Sequence, residues 1–291
     1  MIGARPDSRP LGQIHMRILR SAALAVLCGL ALAPVSARGQ SLEADFGGLD
    51  EDQTDQAIEF VIGNAMFVLF HEAGHMLVSE FGLPVLGREE DAVDALSTLV
   101  MLEAEEEALE KALVDASDGW FLSAQQADEA GGDYAFWDEH SLDEQRAYSI
   151  VCLMVGKDAQ KFSDVAEASE MPQERRDRCA FDYQGTSNNW STVLAPHFRE
   201  NEGETTVTMV YDEAEGDLAS YAELVKEADF LGLLKTAIAD QFKLEDGITF
   251  RAIACGQPNA FWSPSERTLT YCYELTQYHA ALIVANLRDS N

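Results

Sequence analysis

The sequence predicts an α+β fold that is mostly helical and carries a small β-sheet. Apolar residues recur three or four positions apart over much of residues 54–183, which is the period of helices packed on a core. After Asn201 the pattern changes to short runs of β-branched and aromatic residues, which favour strands. The chain has 291 residues and 47% hydrophobic content, enough for one large domain with a substantial core.

Residues 1–37 are typical of a secretion signal. Arg17 and Arg20 precede an apolar run, and Pro34 leads to a small-residue cleavage pattern that ends at Ala37. The run of about 13 apolar residues is shorter than the roughly 20 of a comfortable membrane span, so a retained membrane anchor is the less favoured alternative. We expect a secreted or periplasmic protein with no stable membrane insertion after leader removal. Residues 38–52 are predicted to form a flexible acidic arm, and 53–291 a single domain.

The charge balance excludes some partners. The net charge is −31, and removal of a leader with four arginines and one aspartate makes it more negative. Nucleic acid and anionic membranes would be repelled by such a chain. The acidity serves solubility and is compatible with a cationic substrate or a salty habitat.

Four cysteines follow the predicted leader, and an even number in an exported protein predicts two disulfides. Three pairings are open in principle. We favour the pairing that is local in sequence, Cys152 with Cys179 and Cys255 with Cys272.

The pattern predicts the following elements in order. Helices are expected at 54–80 with Thr54 as N-cap, at 88–116, at 140–154, at 161–169 and at 173–183. Residues 117–138 are expected to form an irregular insert pinned by aromatic residues. The second half predicts a strand at 206–211, helices at 217–227 and 229–242, strands at 248–254 and 268–273 around a turn at 263–266, and a last helix at 275–287.

The central motif is His71-Glu72-Ala73-Gly74-His75, which lies within the first predicted helix. Residues four apart share one face of a helix, so both imidazoles can reach a single metal ion. A carboxylate beside the first histidine can take a proton from a metal-bound water. This pattern is typical of zinc hydrolases and predicts Zn²⁺ as cofactor and Glu72 as general base.

A third protein ligand is expected from the helix that begins near Arg88. Glu90 and Asp94 are four apart and share a helical face. This spacing lets Glu90 bind the metal while Asp94 accepts a hydrogen bond from a ligating histidine. Glu89 is the alternative third ligand.

The resemblance to a known family rests on these motifs, on His140 to Arg146, and on the region from Cys255-Gly256 to Cys272-Tyr273-Glu274. Together they resemble a bacterial family of exported metallopeptidases classed as a domain of unknown function. The spacing of the Glu90 motif after the histidine motif is also similar to that of the glutamate zincins. The resemblance implies a zincin-like peptidase domain that acts on a peptide or protein substrate. It assigns His71, His75 and Glu90 to the metal, Glu72 to the base, and Asp94 to a supporting role. Only 14 residues separate His75 from Glu90, so the connection is tight.

Substrate contacts are assigned by a shorter likeness. Asn259-Ala260-Phe261-Trp262 resembles a stretch that holds substrate backbone in one zincin group, which makes Asn259 and Ala260 candidates for substrate binding. In that group the stretch precedes the metal motif, whereas here it follows it, and a turn with packed aromatics is the alternative interpretation.

A donor for the oxyanion of the transition state is also needed. His140 is our first candidate, and the others are His197, His279, Tyr271, Tyr273 and Tyr278. The predicted function is a zinc-dependent peptide hydrolase. The alternative is a non-catalytic exported zinc-binding or scaffold protein that keeps the zincin-like metal-binding residues.

Overall fold

The computed structural model describes residues 45–132, 134–199 and 205–289, so the predicted leader and residues 38–44 lie outside the described residues. The fold is mostly helical with one small sheet, as predicted. The helices are α1 Glu51–Phe81, α2 Glu89–Glu103, α3 Glu107–Glu129, α4 Asp143–Lys157, α5 Ser163–Ala168, α6 Gln173–Leu194, α7 Ala219–Glu227, α8 Phe230–Leu234 and α9 Tyr273–Asp289. The strands are β1 Val207–Tyr211, β2 Ile248–Ile253, β3 Ala260–Ser263 and β4 Thr268–Cys272.

Helix α1 is the centre of the fold, since it packs against α2, α3, α9, β3 and β4. Its N-cap lies four residues earlier than predicted, because Asp50 rather than Thr54 caps the helix. The Asp50 side chain accepts from the main chain of Gln53, and the Gln53 side chain accepts from the main chain of Asp50. Gly82, in the left-handed conformation at φ 59°, ends the helix.

Two predictions for the region after α1 are wrong. The single helix expected at 88–116 is divided into α2 and α3, with Glu105 between them at φ 55°. The insert expected at 117–138 is helical as far as Glu129. Within this segment Gly119 allows close packing of α3 on α1, because a Cβ atom there would lie 2.0 Å from Asn64 Oδ1.

The sheet has the order β1-β2-β4-β3. The prediction of strands near 248–254 and 268–273 around a turn missed β3, which pairs antiparallel with β4 across that turn. Strands β2 and β4 are instead parallel neighbours, and β1 is parallel to β2. Strand β3 is therefore an edge strand, and it packs against α1.

Both disulfides have the favoured local pairing: Cys152 is bonded to Cys179, and Cys255 to Cys272. The first joins α4 to α6. The second joins the end of β4 to the loop after β2, where the Glu274 carboxylate also accepts from the main-chain N–H groups of Cys255 and Gly256.

The described part of the predicted arm, residues 45–52, differs from a loose segment. Phe46 is buried in a cluster with α9, Asp45 accepts from Tyr221 Oη at 2.5 Å, and Arg288 donates to the carbonyls of Asp45 and Gly47. Residues 51 and 52 already belong to α1. The acidic composition suggested a loose arm, but the buried side chain of Phe46 holds this segment against the fold.

By length and composition α1 is apolar enough to cross a membrane, since its most apolar window has a mean hydropathy of 1.3. In the folded protein 83% of that window is buried by other elements. The apolar content of α1 therefore supplies the core, and the predicted lack of stable membrane insertion stays a prediction.

Candidate metal centre

The buried middle of α1 presents His71, Glu72 and His75. Gly74, between the histidines, faces Val93 of α2, and a Cβ atom at Gly74 would lie 2.8 Å from the Val93 Cβ atom. The glycine therefore lets α2 approach α1 closely. This contact brings the first turn of α2 to the two imidazoles.

Three atoms from these two helices converge on one point. His71 Nε2 and His75 Nε2 are 3.3 Å apart, and each is 3.1 Å from Glu90 Oε2. Two histidine nitrogens and one carboxylate oxygen are donor types that a Zn²⁺ ion accepts. A tetrahedral ion with bonds of about 2.0–2.1 Å requires its ligand atoms to be about 3.3 Å apart. The separations observed here fit that requirement.

The opposite nitrogen of each imidazole is held by a carboxylate of α2. His71 Nδ1 donates to Asp94 Oδ1 at 2.7 Å, and His75 Nδ1 donates to Glu89 Oε1 at 2.8 Å. Glu90 thus lies among the converging atoms, while Glu89 lies on the outer side of His75. Asp94 occupies the corresponding outer position for His71.

This arrangement favours positive charge between the two imidazoles and the Glu90 carboxylate. In a neutral imidazole that donates from Nδ1, the Nε2 atom carries a lone pair. Two such lone pairs and the Glu90 carboxylate would then face one another within 3.3 Å. Protons on the rings or a bound metal ion can satisfy them. The donor set and its spacing therefore fit a metal ion held by His71, His75 and Glu90.

Asp94 is fixed from its other side by Arg146 of α4. Arg146 Nε donates to Asp94 Oδ2, and Arg146 Nη2 donates to Asp94 Oδ1, each at 2.7 Å. The guanidinium lies 3.7 Å from the centre of the Trp120 ring, which adds a cation–π contact. Burial raises the pKa of Asp94, but Arg146 and the His71 hydrogen bond outweigh it and hold that pKa at about 2. Asp94 is thereby kept ionised as a partner for His71.

The electrostatics of the triad favour positive charge. Burial lowers the pKa of His75, but its bonds to Glu90 and Glu89 outweigh this and raise the pKa to about 9. The pKa of His71 is also raised, because Asp94 and Glu90 outweigh the effect of burial. Burial alone would raise the pKa of Glu90. Its contacts with the histidines lower that pKa by a larger amount, so the net shift is downward.

Glu72 is buried beside the triad but is not one of the converging groups. Burial raises the pKa of Glu72 more than the neighbouring histidines and the backbone N–H of Trp262 in β3 lower it. A buried carboxylate beside the triad is suited to accept and return a proton.

His140 reaches the triad from the loop before α4. Its Nε2 atom lies 3.0 Å from Glu90 Oε2, while the Asp138 carboxylate accepts from its main-chain N–H and faces its Nδ1 atom at 3.1 Å. The imidazole is about half exposed. The structure therefore places His140 at the open side of the metal centre.

A cleft of about 690 Å³ opens over the triad. Asn259, Ala260 and Trp262 line it, so the structure brings the predicted substrate-binding residues to the same cleft as His71 and Glu72. Asn259 immediately precedes the edge strand β3, and its carbonyl accepts from Cys272 N in the neighbouring strand. Tyr278 and His279 of α9 also line the cleft.

The other candidate donors lie outside the cleft. His197 stacks on Phe81 with ring centres 4.1 Å apart. Tyr271 is fully buried and bonded to Thr276, and Tyr273 Oη donates to main-chain carbonyls. These three side chains have structural partners and do not reach the triad.

Sequence reasoning missed Arg146, Trp120 and Asn64 as parts of the site. Arg146 lies at the start of an apolar stretch in α4. A charged residue at a buried helical position indicates that another side chain pairs with its charge. Asn64 is a polar residue on the buried face of α1, seven residues before His71. At both positions a polar residue occupies a place that the helical period predicts to be buried, and this mismatch could have marked them as candidate site residues.

The family model DUF4344, described as "Putative metallopeptidase", matches residues 38–194 and 211–291. The chain belongs to this family. The match extends over most of the chain and includes every residue of the metal centre and the cleft. The membership implies a metal ion, a peptide or protein substrate, and no further detail. No curated protein and no solved structure matches the chain.

Proposed function

We propose that this family member is a zinc-dependent peptide hydrolase of the cell envelope or exterior. The observation that carries the proposal is the convergence of His71 Nε2, His75 Nε2 and Glu90 Oε2 within 3.3 Å, with the Glu72 carboxylate buried next to them. A structural zinc site favours four protein ligands, whereas three ligands beside an open cleft are typical of a catalytic site. Export is supported by the leader-like residues 1–37 and by two disulfides.

Each residue of the centre has a defined task in this proposal. His71, His75 and Glu90 would hold a zinc ion, which would act as a Lewis acid and lower the pKa of a water molecule toward about 7. The Glu72 carboxylate accepts a proton from the attacking water and then delivers it to the leaving nitrogen. The backbone N–H of Trp262 favours the ionised form of that carboxylate. Asp94 and Glu89 hold the two imidazoles so that their Nε2 atoms face the metal.

Two groups are proposed to hold the substrate. The outer edge of β3 pairs with no other strand among the described residues, so an extended peptide can add to it through main-chain hydrogen bonds. Asn259 and Ala260 lie where that peptide enters the cleft. His140, at the open side of Glu90, is proposed to donate a hydrogen bond to the developing oxyanion.

The decisive experiment combines metal analysis of the purified protein with cleavage of a broad peptide library. We expect about one zinc ion per chain. Cleavage should stop after chelation and return when zinc is added. Stoichiometric zinc without cleavage of any library peptide would instead favour the alternative, a non-catalytic zinc-binding protein.

A further inference from the structure

One wall of the cleft, away from the metal triad, is built from polar side chains of four helices. We call it the inner wall and define it by Asn64 of α1, Ser123 of α3, Asp143 of α4, and Tyr278 and His279 of α9, all of which line the cleft. Asn64 is seven residues before His71, which corresponds to about 10 Å along the helix. The Asn64 end of the wall is therefore about 10 Å along α1 from His71, a distance that one or two extended residues at about 3.3 Å each and a long side chain can span.

The hydroxyl and amide hydrogens of the inner wall already form hydrogen bonds within the protein. Tyr278 Oη donates to Ser123 Oγ at 3.0 Å, and Ser123 Oγ donates to Asp143 Oδ2 at 2.6 Å. Asn64 Nδ2 donates to two main-chain carbonyls, each at 2.9 Å. A hydroxyl has one hydrogen to donate and an amide has two. The wall therefore offers the cleft only acceptors from these four residues.

His279 adds a further polar atom without a partner. Its side chain is buried, with 7% exposure, and its Nδ1 atom makes no hydrogen bond within the described part of the chain. Burial lowers the pKa of His279 to about 4, so the ring is neutral at pH 7 and one of its nitrogens is an acceptor.

The inner wall also carries negative charge. Arg146 is the one arginine or lysine among the described residues that line the cleft, and two of its nitrogens are occupied by Asp94. The Asp143 carboxylate receives a hydrogen bond from Ser123 and forms no ion pair within the described residues. A surface of acceptors with an uncompensated carboxylate matches a group that has several donors and a positive charge.

We propose that the inner wall is a specificity subsite for a basic side chain of the peptide substrate. An arginine guanidinium has five donors and no acceptor, and a lysine ammonium has three donors, so either complements this wall. The inference rests on the proposed peptidase function, since it assigns a substrate class to the same cleft. An acidic or acceptor-rich side chain would face the carboxylate and the lone pairs of the wall and is rejected.

The first test measures cleavage by the zinc-loaded protein. The probes are fluorogenic alanine hexapeptides, acetylated and amidated at their ends, with one arginine placed at each position in turn. Matched peptides carry citrulline, which keeps the shape of arginine and removes its charge. We expect one position at which arginine exceeds citrulline by about tenfold in kcat/KM, and we expect Asp143→Asn to reduce this preference to about twofold.

The variants separate the subsite from general damage. Tyr278→Phe removes lone pairs from the wall without touching the carboxylate and should lower the arginine preference by a smaller factor. Glu174→Gln, an exposed carboxylate of α6, is the matched control and should keep the preference. An arginine preference unchanged in both Asp143→Asn and Tyr278→Phe would overturn the proposal. So would a preference that appears only when the peptides carry a free α-amino group.

A binding measurement distinguishes failure of the subsite from failure of the peptidase function. The zinc-loaded Glu72→Gln protein is titrated with the same arginine and citrulline peptides, and anisotropy reports binding without turnover. Selective binding of arginine that is lost on adding Asp143→Asn supports the subsite even when the wild-type protein cleaves nothing. Cleavage by the wild type with equal rates for arginine and citrulline overturns the subsite and leaves the peptidase function intact.

Discussion

His71 Nε2 and His75 Nε2 lie 3.3 Å apart at the metal centre, although the opposite nitrogen of each ring is held by a different carboxylate. Their spacing of four on α1 brings the rings together. The carboxylates of Asp94 and Glu89 decide which nitrogen faces the centre, because a ring that donates from Nδ1 presents the lone pair of Nε2. Helix α1 thus supplies the two histidines, and α2 both orients them and adds Glu90.

Glu72→Gln should keep the metal and lose turnover. The amide has nearly the shape of the carboxylate but cannot accept the proton from water, so kcat should fall by about 10²–10⁴-fold. Zinc content, measured by elemental analysis, should stay the same. Glu51→Gln, the same change at the exposed start of α1, is the control and should leave both quantities unaltered. Full activity of Glu72→Gln would exclude this residue as the base.

Glu90 and Glu89 should differ in their effect on metal binding. Glu90 Oε2 is 3.1 Å from both Nε2 atoms, whereas Glu89 reaches only the outer nitrogen of His75. Glu89→Gln should weaken zinc affinity by about 10–100-fold, as expected for an orienting partner. Glu90→Gln should weaken it more, and His75→Ala should abolish stoichiometric zinc. Competition titration with a chelator measures all three, and the reverse order for the two glutamates would assign the ligand to Glu89.

Replacement of His140 tests whether it acts in the transition state. If its Nε2 atom donates to the oxyanion, His140→Ala should lower kcat by about 10²–10³-fold with little change in KM. A purely structural role in the loop would alter KM and thermal stability as well. Asp138→Asn is a useful companion, since it keeps His140 in place and removes only the charge of its Nδ1 partner. It should therefore have a smaller effect on kcat.

The buried His279 should make the protein less stable as the pH falls. Burial lowers its pKa to about 4 in the folded state, against about 6.5 in the unfolded chain. Between these values the unfolded chain binds a proton that the folded protein does not, so stability falls as pH decreases through this range. The loss due to His279 should be about 3 kcal/mol from pH 7 to pH 4.

Urea denaturation of wild type and His279→Gln at several pH values measures this contribution. The difference between the two proteins isolates His279 from other titrating groups. His197→Gln carries the same change at a histidine stacked on Phe81 outside the cleft, and it serves as the control. Parallel curves for wild type and His279→Gln would contradict the prediction.

Loss of a disulfide should cost stability without removing the site. Cys152 and Cys179 are 27 residues apart, and a loop of this length corresponds to about 3.5 kcal/mol of restricted unfolded-state entropy. The Cys152→Ala/Cys179→Ala protein should therefore unfold at lower urea concentration but keep its zinc. A stability equal to that of the wild type would show that the bond contributes nothing under the conditions tested.

Local patterns in the sequence predicted much of this structure. The four-residue spacing of His71 and His75, the position of Glu90 and Asp94 on the next helix, and the local cysteine pairs depend on helical geometry and short separations. The continuation of α3 through Gly119 was missed, because a glycine in a Gly- and Asp-rich region resembles a loop until a partner helix is known. Strand β3 was missed because it is four residues long.

Residue type and periodicity were enough to predict the candidate metal-binding motif, the helical class of the fold and the acidic charge. The positions of Glu90, which faces both imidazoles, and of Glu89, which lies on the outer side of His75, depend on the packing of α2 against Gly74 and so required the tertiary structure. It likewise brought Asn64, Asp143 and His279 to one wall. These residues are far apart in the sequence, and only the packing of their helices gives them a shared surface.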